Sequence, residues 1–440
     1  MRHRRSPSRK PRAAAPPPRT LELDIEQVGA RGDGLARVGD DLVFVPFTVA
    51  GDRVLARVEG RRGDGLAAAL IEVLRPGPGR ADPPCPHFGR CGGCAVQHMA
   101  DDLYGAWKGQ LLVTQLARQG LAELAVEPLV RVPPASRRRA AFAFVRRRGQ
   151  CLLGFNARAS HAVVDLEHCP LLEPALTAAL PPLRALLAGL VADGEEGDVI
   201  ATLTEGGLDL LVEAEARLDL FDRERLAAFA DAHDLARLSW RRPGVGFAEP
   251  IARRRAALVR FADIAVEPPP GAFLQPTRGG ELAIAERITT ALEPALAAGG
   301  PVLDLFAGCG SFTFALARRA AVHAVEGEQE PLAALDAAAR LAGLEVSTEV
   351  RDLARRPLLA TELKKYRAVV FDPPRAGAGA QAEQLAAGGP PLVVAVSCNP
   401  ATLARDLRTL VDGGYRCRSV TPIDQFPWSA HLEAVAVLSR

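Results

Sequence analysis

Apolar and polar positions change rhythm twice along the chain. Residues 20–75 carry short alternating runs, LELDIEQV, GLARV, DLVFVPFTV, DRVLARVEG and GLAAALIEVL, separated by Gly and Asp. Strands this short and closely spaced predict a small β-barrel. ARGDGLARV (30–38) is echoed by RRGDGLAAAL (61–70), which places an Asp-Gly pair at a tight turn in each. PGPGRADPP (76–84) reads as a linker, and DDLYGAWKGQLLVTQLARQ predicts a helix over about 101–119. Between 128 and 265, β-like runs such as RRRAAFAFVRRR, CLLGFNA, DVIATLT and LDLLVEA mix with helical ones in an α+β pattern of no obvious fold. From about 280 the rhythm becomes α/β: ELAIAERITTALEPALA, PVLDLF, AVHAVEG, QEPLAALDAAARLAG, AVVFDPP, PLVVAVS, TLARDLRTLVDGG and EAVAVLS. Such alternation predicts a mostly parallel sheet covered by helices on both faces, with ligands at the carboxyl ends of its strands.

Composition narrows this further. A chain of 440 residues, 48% hydrophobic and 24% charged, is a soluble globular protein of several domains. Its longest apolar candidate, LTAALPPLRALLAGLVA, is broken by Pro181, Pro182 and Arg184, so no membrane span is expected. The net charge of +2 is unevenly spread: MRHRRSPSRKPRAAAPPPR holds seven Lys or Arg and no acid, leaving 2 − 7 = −5 for the rest. Residues 1–19 therefore read as a disordered basic tail, phosphate-seeking or merely solubilising. No export signal follows it, which predicts a cytoplasmic protein.

In PVLDLFAGCGSFTFALA (301–317) a strand ends at Asp304, turns through Gly308 and Gly310, and enters a helix. A dinucleotide fingerprint would place a third glycine at 313, where Thr313 stands, so NAD is disfavoured. The next strand, AVHAV, ends in Glu326, whose carboxylate is placed to accept ribose hydroxyls. Together with the β/α repeat these features favour an S-adenosylmethionine pocket. AVVFDPPRAG places Asp372 at a further strand end, with Pro373 and Pro374 stiffening the wall beside it.

Eight cysteines in a chain without an export signal point to metal binding or catalysis before disulfides. CPHFGRCGGC spaces Cys85, Cys91 and Cys94, and SHAVVDLEHCPLL adds Cys169. Four thiolates suit tetrahedral zinc or an iron-sulfur cluster, with spacing alone leaning to zinc. A radical S-adenosylmethionine enzyme is a third option, disfavoured because a fourth ligand closes the open iron. Cys151, Cys309 and Cys417 are assigned to packing. Cys398, in SCNPATLARDL, stands where a buried strand ends and an exposed turn begins, an odd place for a packing cysteine.

These pieces together resemble the uracil-5-methyltransferase family of RNA enzymes, in the branch acting on large-subunit (23S) ribosomal RNA. The resemblance runs through the barrel at 20–75, CPHFGRCGGC with HCPLL, FLQP (273–276), DLFAGCGSFT, VEGE, FDPPRAG, SCNPATLARDL and DQFPWSAHLEAVAVL. It implies a TRAM-like, OB-like barrel over 20–75, after the tail. It further implies a central α+β domain over 78–270 carrying a [4Fe-4S] cluster on Cys85, Cys91, Cys94 and Cys169, and a Rossmann-like methyltransferase domain over 271–440. Cys398 resembles the family's nucleophile and Glu433 its general base. Gln275, Phe306, Glu326 and Asp372 look like the S-adenosylmethionine contacts, with Asp352 beside the adenine. Thr277, Ser311 and WSAHLE depart from the family pattern near these sites.

The implied chemistry explains the residue types. Carbon 5 of uracil is a poor nucleophile until a thiolate adds to carbon 6, so covalent catalysis splits one hard step into two. A thiol of pKa about 8.5 is mostly protonated at neutral pH, so a nearby cation or strand-end dipole is expected to help, with Arg405 as a candidate. A flipped base is implied, and the arginines of RRRAAFAFVRRR (137–148) and the barrel are candidate RNA-contacting surfaces. The expected partner is 23S ribosomal RNA before full subunit assembly, met by a monomer. Methylation of the tRNA T-loop uridine and RNA binding without catalysis are the competing readings.

Overall fold

The computed structural model describes residues 19–440; the basic tail, apart from Arg19, lies outside the described residues. The chain divides into two compact units, one running to Pro83 and taking in Ala95–Tyr104, the other formed by Pro84–Cys94 with Gly105–Arg440.

The first unit is a six-stranded sheet of Thr20–Asp24, Gln27–Val28, Asp33–Val38, Asp41–Pro46, Arg53–Arg62 and Gly65–Arg75. Their spatial order is first, fifth, sixth, fourth, third, second. Alternate residues, among them Val43, Val45, Val54, Ala56 and Val58, face one apolar interior, as the period of two demands. The turns fall earlier than the expected Asp-Gly pairs: Asp33 already belongs to a strand, and the second turn is Gly63–Asp64. The expected linker is tied down at its start, because the buried Asp52 carboxylate accepts the Gly77 N–H at 2.8 Å and an Arg80 N–H at 2.6 Å.

The second unit holds two large sheets. In the central one, seven strands are ordered Val163–Asp165, Gln150–Asn156, Arg139–Arg147, Glu196–Thr204, Gly207–Ala214, Arg237–Arg241 and Glu249–Arg253. Helices Leu180–Leu190 and Leu220–Ala232 pack Leu183, Leu187 and Leu226 into its core. The longest apolar candidate of the sequence becomes Pro174–Ala178 and Leu180–Leu190, and among the described residues no helix is long and apolar enough to cross a membrane.

The other sheet has eight strands in the order Val346–Val350, Val322–Glu326, Val302–Leu305, Ala368–Phe371, Leu392–Ser397, Glu433–Ser439, Arg416–Asp424 and Val130–Arg131. The first five are mutually parallel, and the near-continuous apolar runs of Val302–Leu305, Ala368–Phe371 and Leu392–Ser397 match strands buried on both faces. Glu433–Ser439 enters antiparallel between Leu392–Ser397 and Arg416–Asp424. This is the Rossmann-like α/β architecture expected from the alternation, extended by two residues, Val130 and Arg131, that precede the central sheet in the chain.

One buried cation secures the strand end beside the site. Lys108, on helix Asp101–Arg118, donates to the carbonyls of Phe426 and Ser429 at 2.9 and 2.8 Å and pairs with Asp424 at 2.8 Å. Its ammonium is fully buried, so these bonds replace its water. Lys108→Met is expected to lower the unfolding free energy by about 3–5 kcal/mol, because it breaks a buried ion pair and removes the donor from the Phe426 and Ser429 carbonyls. Urea denaturation of the variant against the parent measures it.

Candidate active site

Strand ends deliver the chemistry. Val302–Leu305 stops at Phe306, a non-glycine residue held at φ 60°, in the left-handed region where a side chain costs about 1–3 kcal/mol. The turn continues through Gly308 (φ 54°) and Gly310 (φ 95°). A Cβ on Gly310 would sit 2.5 Å from the Phe314 ring, so only glycine fits there, whereas one on Gly308 would meet nothing within 4 Å. Open space therefore lies above the Gly308 backbone. Glu326 reaches back from the neighbouring strand: its Oε2 accepts the Gly308 N–H at 2.9 Å, and its Oε1 accepts those of Gly327 and Glu328 at 2.5 and 3.0 Å. Three of about four lone-pair sites are thus filled, leaving one on Oε2 for a ligand hydroxyl.

Behind this turn, Asp304 is buried and accepts the Thr313 hydroxyl at 2.6 Å, which explains why threonine rather than glycine stands at 313. Burial pushes the Asp304 carboxyl up to about 7, with Glu326 adding repulsion. Asp372 is likewise pushed up to about 7, first by burial and then by Asp304, while the Gln275 amide at 2.9 Å draws it down.

Cys398 and Glu433 meet through strand register. Ser397 pairs with Ala434 in the antiparallel ladder, so the residue after the first strand faces the residue that begins the second. Glu433 is 2% exposed; its Oε2 accepts the Gln425 amide at 2.9 Å, and its Oε1 has no hydrogen-bond partner. Burial raises its carboxyl well above the usual range, and Asp372 raises it further against the pull of the Gln425 bond. Asn399 caps helix Pro400–Asp412 by accepting the Ala401 N–H at 3.1 Å, and its amide donates to the Arg375 carbonyl at 3.0 Å. Pro400 opens that helix, where its missing N–H has no intrahelical role.

The expected lowering of the Cys398 thiol does not occur. Burial pushes it up to about 11, Glu433 and Asp372 push the same way, and Arg375 alone among the nearby cations named pulls down. Arg405 is engaged elsewhere, bonded to Asp406 at 2.6 Å and to the Ala376 carbonyl at 3.1 Å. Burial is the larger cause, because a thiolate there loses its water, and the two acids add to it when ionised.

The arginine-rich strand is also reassigned. Arg138 is buried, paired with Glu281 at 2.6 Å and bonded to the Gln275 carbonyl at 3.2 Å; Arg139 donates to the carbonyls of Ala272 and Gly271 at 3.0 Å each. These two side chains brace the loop that carries Gln275 rather than facing RNA; only Arg147 and Arg148 of the cluster are exposed. Asp352 stands apart from the buried network: half its side chain is exposed, and it caps the N–H groups of Ala354 and Arg355. Trp428 packs against the central core, and His431 lies 3.4 Å from the Arg375 guanidinium.

Cys91, Cys94 and Cys169 pack against one core, and the Cys85 thiol helps to raise those of Cys91 and Cys169, which burial raises first. Arg137, among the same residues, feels both Cys169 and Cys94. All eight cysteines are free thiols. Among the described residues, no three His, Cys, Asp or Glu side chains gather tightly enough to hold a metal ion. Cys309 and Cys151 lie in apolar cores, consistent with packing. Residues the motifs did not expose are Gln425, Arg138, Lys108 and Arg375. Gln425, Arg138 and Arg375 lie inside stretches already marked (DQFPWSAHLE, RRRAAFAFVRRR and FDPPRAG), but residue type alone gave them no role, and Lys108 left no signal.

A parallel sheet with a glycine turn, an acid on the next strand and a further acid before two prolines defines a methyltransferase of Rossmann-like fold. The family model described as tRNA (Uracil-5-)-methyltransferase matches residues 259–440. The chain is 44% identical over 425 residues to an uncharacterized RNA methyltransferase of Brucella suis, covering 96% of this chain and 98% of that protein. It is 36% identical over 461 residues to the 23S rRNA (uracil(1939)-C(5))-methyltransferase RlmD of Halomonas elongata, covering 100% and 93% of the two. The Pyrococcus abyssi tRNA (uracil-54, C5)-methyltransferase, solved with S-adenosyl-L-homocysteine, shares the fold at TM-score 0.74 and 22% identity, over 95% of this chain and all of that one. The chain belongs to the RNA uracil-5-methyltransferase family.

The raised thiol sets a pH dependence. Cys398 is expected to resist iodoacetamide at neutral pH and to label increasingly as pH rises towards about 11. Glu433→Gln removes one repelling charge, so the labelling midpoint should move to lower pH. Peptide-resolved mass spectrometry across a pH series reads both.

Proposed function

We propose that this chain methylates carbon 5 of a uridine in 23S ribosomal RNA, with S-adenosylmethionine as donor, giving 5-methyluridine through a covalent Cys398 adduct. The observation that carries this reading is the register that sets Cys398 opposite Glu433 at the carboxyl edge of the sheet. The full-length likeness to a 23S rRNA uracil-C5 methyltransferase supports the choice of RNA.

Gln275, Phe306, Glu326 and Asp372 would hold the methyl donor, with Asp352 beside its adenine. The open space over Gly308 and the remaining lone pair on Glu326 suit a ribose, and the uncompensated Asp304 and Asp372 suit a cation. Bound there, S-adenosylmethionine supplies a methyl group on a positively charged sulfur. The Cys398 thiol gives up its proton to water, its sulfur bonds to carbon 6 of the flipped uracil, and the ring's electron pair moves onto the carbon 4 carbonyl as an enolate. Carbon 5 then takes the methyl group. Glu433, with its unpartnered Oε1, removes the hydrogen from carbon 5. The returning electron pair expels the Cys398 thiolate and restores the ring.

In the same reading residues 20–75 are a TRAM-like barrel gripping RNA, 78–270 the central domain and 271–440 the catalytic domain. The enzyme acts as a cytoplasmic monomer on RNA whose target can still leave its stack. Cys85, Cys91, Cys94 and Cys169 are the ligands of a [4Fe-4S] cluster. Their neighbourhood fits such a group: the Cys91 sulfur accepts the Gly93 N–H at 3.4 Å, a bond that favours thiolate, and Arg137 supplies positive charge. The cluster's contribution would be to order the central domain, because methyl transfer needs no electron.

With 5-fluorouridine in a 23S fragment and labelled donor, elimination is blocked, so a covalent complex is expected to accumulate; Cys398→Ala should abolish it. An adduct that survives Cys398→Ala would refute the mechanism, and mapping the methylated nucleotide identifies the target. Anaerobic purification is expected to give brown protein with about four iron atoms per chain. Cys85→Ala should lose the colour and soften the central domain to proteolysis, whereas stoichiometric zinc would reject the cluster.

A further inference from the structure

The reading above uses Cys398 and Glu433 but leaves Gln425 unexplained. This residue follows the strand Arg416–Asp424, is 1% exposed, and stands between two groups from distant parts of the chain. Its Nε2 lies 2.6 Å from Gln275 Oε1 and 2.9 Å from Glu433 Oε2. Both neighbours are acceptors, so a flipped amide would set oxygen against oxygen twice; the nitrogen must point this way, and both its hydrogens are committed. Gln275 in turn donates its own Nε2 to Asp372 Oδ2 at 2.9 Å.

The fold makes room for this amide at one place. A Cβ on Gly280, in helix Arg278–Ala298, would lie 2.4 Å from Gln425 Oε1 and 2.8 Å from Gln425 Cβ. The glycine is what allows the helix to close over Gln425.

We infer that Gln425 is a positioning residue for the proton-abstraction step: its amide clamps Glu433 Oε2, leaves Oε1 as the single oxygen able to take the proton, and ties the base through Gln275 to Asp372. The inference rests on the reading of Glu433 as base. An amide is too weak an acid to relay a proton, so Gln425 orients and tunes. Its donated bond favours the charged form of Glu433, against the repulsion of Asp372 and, across the strand pair, of Cys398 when ionised. Asp304 lies behind Asp372, the Arg138–Glu281 pair braces the Gln275 loop, and Arg375 with His431 stands on the Cys398 side.

Gln425→Met keeps the volume and removes both donors. Addition and methyl transfer precede the step that needs Glu433, so the variant should still form the 5-fluorouridine adduct, losing far less rate there than in turnover, and that adduct also certifies its fold. On uridine RNA its turnover should fall about ten- to a hundredfold, the effect of losing a hydrogen bond to a charged group. The methylated adduct should accumulate during that slow elimination, and the pH midpoint of elimination should move upward as the base becomes harder to ionise. Gly280→Ala, which crowds the amide from outside, should show the same pattern more weakly. Equal losses on both RNAs, or elimination with an unmoved midpoint, would overturn the role of Gln425. Failure of the parent itself to form the fluorouridine adduct would instead overturn the reading on which it rests.

Discussion

Glu433 begins its strand, and in a parallel sheet the beginnings of strands lie on the edge away from the ligand. It reaches the ligand edge only because Glu433–Ser439 runs antiparallel to Leu392–Ser397, with Ser397 opposite Ala434. A one-residue slip would turn every side chain of that strand to the other face and separate the carboxylate from Cys398. The surrounding structure maintains this register. Leu438, Ala436 and Val435 are buried in the sheet, Arg416–Asp424 flanks the strand on its other side, and Lys108 ties down the turn through Phe426 and Ser429.

The site is crowded with acids whose charged forms burial disfavours. Asp304, Asp372 and Glu433 are all raised by burial, and a thiol among them is raised as well. Arg375 offsets only part of this, and the buried Arg138 is already paired with Glu281. A positively charged sulfur arriving beside Asp372 would relieve the repulsion and favour the thiolate at once.

The arginines of residues 137–148 carry a different lesson. In the sequence they form a basic cluster of the sort that meets RNA, whereas in the fold Arg138 and Arg139 satisfy an acid and three carbonyls in the loop leading to Gln275. Strand periodicity sends neighbouring arginines to opposite faces, and which face is covered depends on what the rest of the chain brings there. Arg405 failed as an activating cation for a related reason, since the adjacent Asp406 captures its guanidinium.

Much of the catalytic half was legible because its signals are local. The strand, glycine turn and helix around Asp304, the acid ending the next strand, Asp372 before its prolines, and Asn399-Pro400 opening a helix each depend on backbone requirements met within a few residues. Sequence by itself determined the α/β class, the glycine turn after Asp304 and the acids that end its neighbouring strands. Tertiary structure alone decided the antiparallel entry of the last strand, the amide chain from Asp372 through Gln275 and Gln425 to Glu433, the raised Cys398 thiol and the inward fate of the arginines. Each of these depends on distances between groups remote in the chain and on the water excluded around them, and neither quantity is carried by residue type or spacing.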